Sequence, residues 1–190
     1  DCILNPNINE ENFLDATALD KDSDFIPGLI EFHKLENGEW HNLRKGIDFF
    51  KNRSGAQISA EIPSKAEGIQ KFNRHGVDFR PLQLKSVFSK KPIAPDKWWQ
   101  YALYKQYLLR IKWKDYYKSG LIELPYPIVG SYSDIFIVTH ASIREFCRLC
   151  GIFSAVGLFV EIAVPPARLL SSGKIRQEKE IRLQGKAVWY

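Results

Sequence analysis

Methionine is absent from all 190 residues, and cysteine occurs three times, at Cys2, Cys147 and Cys150. So few thiols exclude a disulfide-stapled secreted scaffold and fit a reducing compartment. A chain that opens on Asp1 and lacks methionine also reads as a piece of a longer protein. No uninterrupted apolar run reaches the roughly 18 residues that a spanning helix needs. The nearest is Gly151–Ala167, broken by Glu161, where a buried core segment is expected. The opening DCILNPNINEENF has neither the basic start nor the apolar centre of a secretory leader, which points to a cytoplasmic setting. Repeats, low-complexity tracts, a Walker loop, a dinucleotide fingerprint and a nucleophile elbow are all missing. His33, His41, His75 and His140 show no ligand spacing. Cys147-x-x-Cys150 is half a zinc site at most, and two buried thiols on a helix are the simpler reading.

With 45% hydrophobic residues, the chain has enough apolar side chains for one sizeable core, so a single domain over 1–190 is expected. Helical and extended patterns intermix, which places it among α/β or α+β folds. Asn9-Glu-Glu-Asn-Phe-Leu opens a helix towards Leu19. Leu29–Lys34 and Glu39–Leu43 flank Glu36-Asn37-Gly38 as a hairpin. Gln57–Ile62 alternates like a strand. Ser64-Lys-Ala-Glu67 is a capping box for a helix to about His75, with Gly76 as its left-handed stop. Val77–Leu84 reads as extended, and SKKPIAP (89–95) as a loop. A helix over 96–119 is the strongest periodic segment. Tyr132–Val138 reads as a buried strand and Ala141–Cys150 as a short helix, while Leu158–Leu170 fits strand and helix alike.

Charge is uneven. The first 24 residues hold seven acids against Lys21 alone, although the chain as a whole carries a net +5. An acidic head on a basic body fits an anionic partner for the body, and equally a solvated surface. Within 96–119, Trp98, Trp99, Tyr101, Tyr104, Tyr107, Trp113, Tyr116 and Tyr117 interleave with Lys97, Lys105, Arg110, Lys112, Lys114 and Lys118. That pattern suits a stacked sugar, a membrane surface or single-stranded nucleic acid, and also a core face with snorkelling lysines.

Three stretches could carry chemistry. In LDKDSDFIPGLIEF (19–32), Asp20, Asp22 and Asp24 alternate at what reads as a strand end. Carboxylates at that density suit a hard divalent cation such as Mn²⁺ or Mg²⁺. An EF-hand would put Glu31 at its twelfth position, but Phe25 stands where that loop requires glycine. Asp20-Lys-Asp22 also matches the Asp-x-Asp motif that holds a metal against a sugar-nucleotide diphosphate. The second stretch, residues 126–172, embeds Asp134 and Glu161 in apolar surroundings. A buried lone carboxylate is costly, so each needs a partner or a cavity to face. For Glu161 the partner would be Arg144, Arg148 or Arg168. The third is the basic aromatic segment already described.

Ser131-Tyr-Ser-Asp134-Ile-Phe-Ile-Val, Phe146-Cys-Arg-Leu-Cys-Gly-Ile-Phe153 and Leu158-Phe-Val-Glu161-Ile-Ala-Val-Pro165, with Leu183-Gln-Gly-Lys-Ala-Val-Trp189, resemble bacterial glycosyltransferase-like proteins of capsule and lipopolysaccharide assembly. The resemblance covers about residues 120–190, and Pro166 stands where those proteins carry threonine. It implies a GT-A-like mixed sheet flanked by helices, whose nucleotide-binding β/α half would precede Asp1. It implies Asp20, Asp22 and Asp24 as metal and donor ligands, Glu161 as general base and Asp134 as the acid that orients the acceptor. A sugar nucleotide and a saccharide acceptor are then the partners, met at or near the inner face of the membrane. The alternative is a non-enzymatic module that uses 96–119 to engage nucleic acid, anionic lipid or a protein.

Overall fold

The computed structural model describes residues 7–34, 58–83, 119–131 and 135–182. The expected hairpin partner Glu39–Leu43, the loop at 89–95, the body of the helix over 96–119, Asp134 and the segment from Leu183 onwards lie outside the described residues. Where the length suggests one domain, the chain falls into two compact units, Asp1–Leu29 with Ser131–Tyr190, and Ile30–Gly130. The architecture is mixed α/β, with helices and short strands in both units. Among the described residues no helix is long and apolar enough to cross a membrane.

The discontinuous unit begins with α1 (Phe13–Thr17), closed by Ala18 at φ 56°. Next comes β1 (Asp24–Phe25), which pairs in parallel with β4 (Ile175–Arg176), Asp24 opposite Ile175 and Phe25 opposite Arg176. On its other edge Phe25 exchanges both backbone hydrogen bonds with Ile137, at 3.1 and 3.0 Å. The buried strand expected over Tyr132–Val138 is, in its described part, this single antiparallel bridge. Leu19, Phe25 and Ile181 form a small core with Phe13, Ile135 and Ile137 against it.

Two helices complete this unit. α3 (His140–Ala155) is longer than the Ala141–Cys150 read from the sequence, and buries Ser142, Phe146, Leu149 and Phe153 at helical spacing. α4 (Val160–Ser171) packs against it and settles the strand-or-helix ambiguity of Leu158–Leu170 in favour of helix. Every residue from Ile162 to Leu170 is buried. Tandem prolines inside a helix remove backbone donors. Pro165 leaves the Glu161 carbonyl without its partner four residues on, and the Ser131 N–H supplies one instead at 3.3 Å.

The continuous unit holds α2 (Lys65–Arg74). Its capping box is complete: the Glu67 N–H donates to Ser64 Oγ at 3.4 Å and the Ser64 N–H donates to Glu67 Oε2 at 3.0 Å. Gly76 adopts φ 71°, the left-handed stop expected of it. The residues before this helix, read as an alternating strand, instead turn: Glu61 and Ile62 both donate to the Ile58 carbonyl. Ile58 and Ile62 are both buried one helical turn apart, so the same apolar pair serves a different period. Phe72, fully buried, meets Phe79 and Tyr126 at ring-centroid distances of 5.9 and 6.1 Å. Short strands β2 (Leu82–Gln83) and β3 (Leu121–Ile122) pair antiparallel, and Ile30 bridges Gly130 where this unit's chain enters and leaves.

Candidate functional site

The polar interior of the discontinuous unit is built around Asp24 and Arg168, exposed by only 1% and 0%. β1 turns the Asp24 carboxylate towards the first turn of α3. There it accepts the Thr139 N–H at 2.6 Å and the Ser142 hydroxyl at 2.7 Å. A carboxylate at that point also meets the positive end of a sixteen-residue helix. Arg168 Nη1 lies 3.6 Å from Asp24 Oδ2, and Arg168 Nη2 donates to the Phe25 carbonyl at 3.0 Å. The guanidinium sits against the rings of Phe136 and Phe146, 5.6 and 5.1 Å from their centroids. Among the described residues, its Nε and Nη1 have no hydrogen-bond acceptor.

Burial pushes the Asp24 carboxyl up, but the Ser172 hydroxyl, the Thr139 N–H, the Ser142 hydroxyl and the Arg168 charge together bring it below the ordinary carboxylate value. Burial lowers the Arg168 guanidinium, against which Asp24 is the main restoring charge. One carboxylate thus joins β1, α3, α4 and the turn into β4. Charge pairing and hydrogen bonding hold it as an anion.

Asp20 faces outward instead. Lys174 Nζ reaches its Oδ2 at 2.8 Å, Arg176 Nε lies 3.8 Å from the same oxygen, and the Ser23 hydroxyl donates to its Oδ1 at 2.8 Å. The Lys174 and Ser23 hydrogen bonds lower its pKa to about 2. Asp22 is exposed. Asp24 lies in the buried run Ser23–Ile26, while Asp20 belongs to the turn before it. Asp20 and Asp24 therefore bind two separate sets of partners, each including a protein cation. Among the described residues no group of three or more His, Cys, Asp or Glu side chains converges as a metal site.

Glu161 lies in the first turn of α4, half-exposed, at the rim of a helix whose following nine residues are buried. The arginines expected as its partners are engaged elsewhere. Arg148 pairs with Glu145 at 2.6 Å within α3, and Arg168 pairs with Asp24. Arg144 is exposed. The Glu161 carbonyl fixes Ser131, whose hydroxyl in turn donates to the Gly28 carbonyl. Asp134, the second acid proposed from sequence, lies outside the described residues.

Cys147 is exposed and Cys150 half-buried, both free; burial, reinforced by Cys147, pushes the Cys150 thiol up to about 11. A thiol so protonated is a poor nucleophile or ligand. The residues that sequence reasoning missed are Thr139, Ser142 and Ser172. A signal existed in VEIAVPPARLLS, where an arginine in a wholly apolar helix requires an acid somewhere in the fold. No family model matches the chain, and no curated protein or solved structure matches it either.

Proposed function

We propose that the protein transfers a glycosyl group from a sugar nucleotide to a saccharide acceptor in surface polysaccharide assembly, within a GT-A-like domain. In this reaction the acceptor hydroxyl attacks the anomeric carbon, and the bond from that carbon to the diphosphate oxygen breaks. Glu161 takes the hydroxyl proton, and the nucleoside diphosphate leaves. A carboxylate serves as general base when it reaches the attacking hydroxyl and is not neutralised by a neighbouring cation. The observation that carries the proposal is the state of Glu161. Its side chain is half-exposed on a helix whose next nine residues are buried and which Arg168 ties to β1, while Arg148 and Arg168 are committed to Glu145 and Asp24. A base must be both accessible and fixed, and this position is both.

No step is given to a divalent cation, because Asp20 and Asp24 already have protein cations as partners.

The test is Glu161→Gln. The amide keeps the shape, so stability should change by less than about 0.5 kcal/mol. Turnover of the sugar nucleotide should fall by roughly 10²–10⁴-fold, since only proton transfer is lost. Full turnover in the variant would remove Glu161 from the mechanism. An absence of turnover in the parent with every common sugar nucleotide would favour the binding module instead.

A further inference from the structure

α3 carries two thiols that the network around Asp24 does not use. Cys147 is exposed and Cys150 half-buried, both are free, and they stand three positions apart in the middle of the helix. That spacing puts them on one face, with Cβ atoms about 5–6 Å from each other. A disulfide requires about 3.5–4.5 Å, so closing one would distort the helix. Two metal–sulfur bonds of about 2.3 Å set in line hold their sulfurs about 4.6 Å apart. The pair reaches that separation with α3 intact.

We infer that Cys147 and Cys150 form a two-coordinate site for a soft monovalent cation, Cu(I). Ligand type, ligand number, charge and access agree. Thiolates select soft ions. Among the described residues no third His, Cys, Asp or Glu converges on the pair, so the tetrahedral set that zinc takes is not present there. Two thiolates around one Cu(I) leave a net negative charge, and Arg168 lies within electrostatic reach of Cys150. That guanidinium is 0% exposed, and Asp24 at 3.6 Å is too far for a hydrogen bond to its Nη1. Among the described residues Nε and Nη1 have no acceptor, so a buried cation with spare donors stands beside the site. Burial holds the proton on Cys150, and that thiol yields it only to an ion that binds sulfur more strongly than the proton does. Harder divalent cations therefore compete poorly. Entry is from the outer face of α3, where Gly151 is exposed and a Cβ placed on it would meet nothing within 4 Å. The inference is independent of the transfer reading.

The experiment is an anaerobic Cu(I) titration of the whole chain carrying Cys2→Ser, with bicinchoninate as the competing chelator. One Cu(I) per chain should leave the chelator, and X-ray absorption should show it bound by two sulfurs. Cys147→Ser, at an exposed position, should weaken binding roughly 10²–10⁴-fold, because the second thiolate acts intramolecularly. Cys150→Ser should do the same. Cys147→Ser combined with Arg148→Cys keeps two thiols but sets them on different faces, and should bind no better than Cys147→Ser alone. Circular dichroism of each variant should match the parent, so that lost binding reads the lost ligand. Arg168→Met should weaken binding about tenfold through loss of the offsetting charge; unchanged affinity there would strike Arg168 from the site. The inference is overturned if the chain takes no Cu(I) from the chelator, or if Cys147→Ser binds as tightly as the parent. A third protein ligand in the absorption spectrum, or Zn²⁺ held as tightly as Cu(I), overturns it too.

Discussion

The two members of the buried ion pair should respond unequally to removal. In Asp24→Asn, the Arg168 charge remains at 0% exposure with the Phe25 carbonyl as its one acceptor among the described residues. The new amide also turns a donor towards the Thr139 N–H or the Ser142 hydroxyl, both of which need an acceptor. Stranding a buried charge costs about 3–5 kcal/mol, a fifth or more of the stability of a typical domain. In Arg168→Met, Asp24 keeps the Thr139, Ser142 and Ser172 donors, and the Phe25 carbonyl keeps the Ile137 N–H at 3.0 Å. One charged hydrogen bond is lost, worth about 1.5–3 kcal/mol, while two buried nitrogens without an acceptor among the described residues are removed, each costing about 1–3 kcal/mol. A flexible thioether then fills the space between Phe136 and Phe146. The net change for Arg168→Met is therefore small, within about 2 kcal/mol of zero. Urea unfolding followed by circular dichroism separates the cases, with the denaturant slope used to check that the same surface is exposed. Equal losses in both variants, or a greater loss in Arg168→Met, would refute the reasoning.

Three further outcomes follow from the structure. Because Asp24 titrates below its ordinary value of 3.8, its contribution is fully present above that pH and is lost as pH falls through the folded value. Stability should then drop below about pH 4 in the parent, and Asp24→Asn should flatten that part of the curve; an unchanged acid slope would contradict the assignment. Mn²⁺ with uridine diphosphate should produce no rise in melting temperature that depends on Asp20 or Asp22, since Lys174 and Arg176 already hold the Asp20 carboxylate. A rise abolished by Asp22→Asn would restore the metal site. Gly68→Ala would drive its Cβ into the Tyr126 hydroxyl, and that ring is held by Phe72, Phe79 and a 2.8 Å hydrogen bond to the Pro63 carbonyl. A loss of about 1–3 kcal/mol is expected, partly relieved by adding Tyr126→Phe, which thermal unfolding of the single and double variants will show.

Local signals in the sequence were read correctly where neighbours alone decide the outcome. Ser64, Glu67 and Gly76 lie within one helix and its ends, so chemistry and conformation are set by adjacent residues. Reading failed where one apolar pattern serves two periods. Ile58 and Ile62 satisfy an alternating strand and a single helical turn equally, and only the backbone bonds distinguish them. The Pro165-Pro166 pair stands inside the helix adopted by Leu158–Leu170, a segment whose pattern fits strand and helix alike. Its missing donor is compensated by Ser131, which sequence spacing does not reveal. The Asp24 network was hidden for the same reason, since Ser142 lies 118 residues away. Burial requires that Arg168 find an acid without saying which, and Glu161 was the nearer in sequence. The GT-A-like topology itself remains a proposal, supported by motif words and by the mixed α/β architecture.

The hydrogen bonds between Ile30 and Gly130 have a consequence for synthesis. Ile30 N donates to the Gly130 carbonyl at 2.7 Å and Gly130 N returns the bond at 3.3 Å, so the first and last residues of the continuous unit meet as neighbours. That unit is an insertion whose two ends meet, complete as soon as Gly130 has been made. The surrounding unit cannot close its parallel β1–β4 pair until Ile175 and Arg176 emerge. At a ribosomal rate of about 5–20 residues per second, β1 waits several seconds for its partner while the insertion is already free to fold. The order of birth thus favours the inner unit first, and makes the outer one the slow, non-local step.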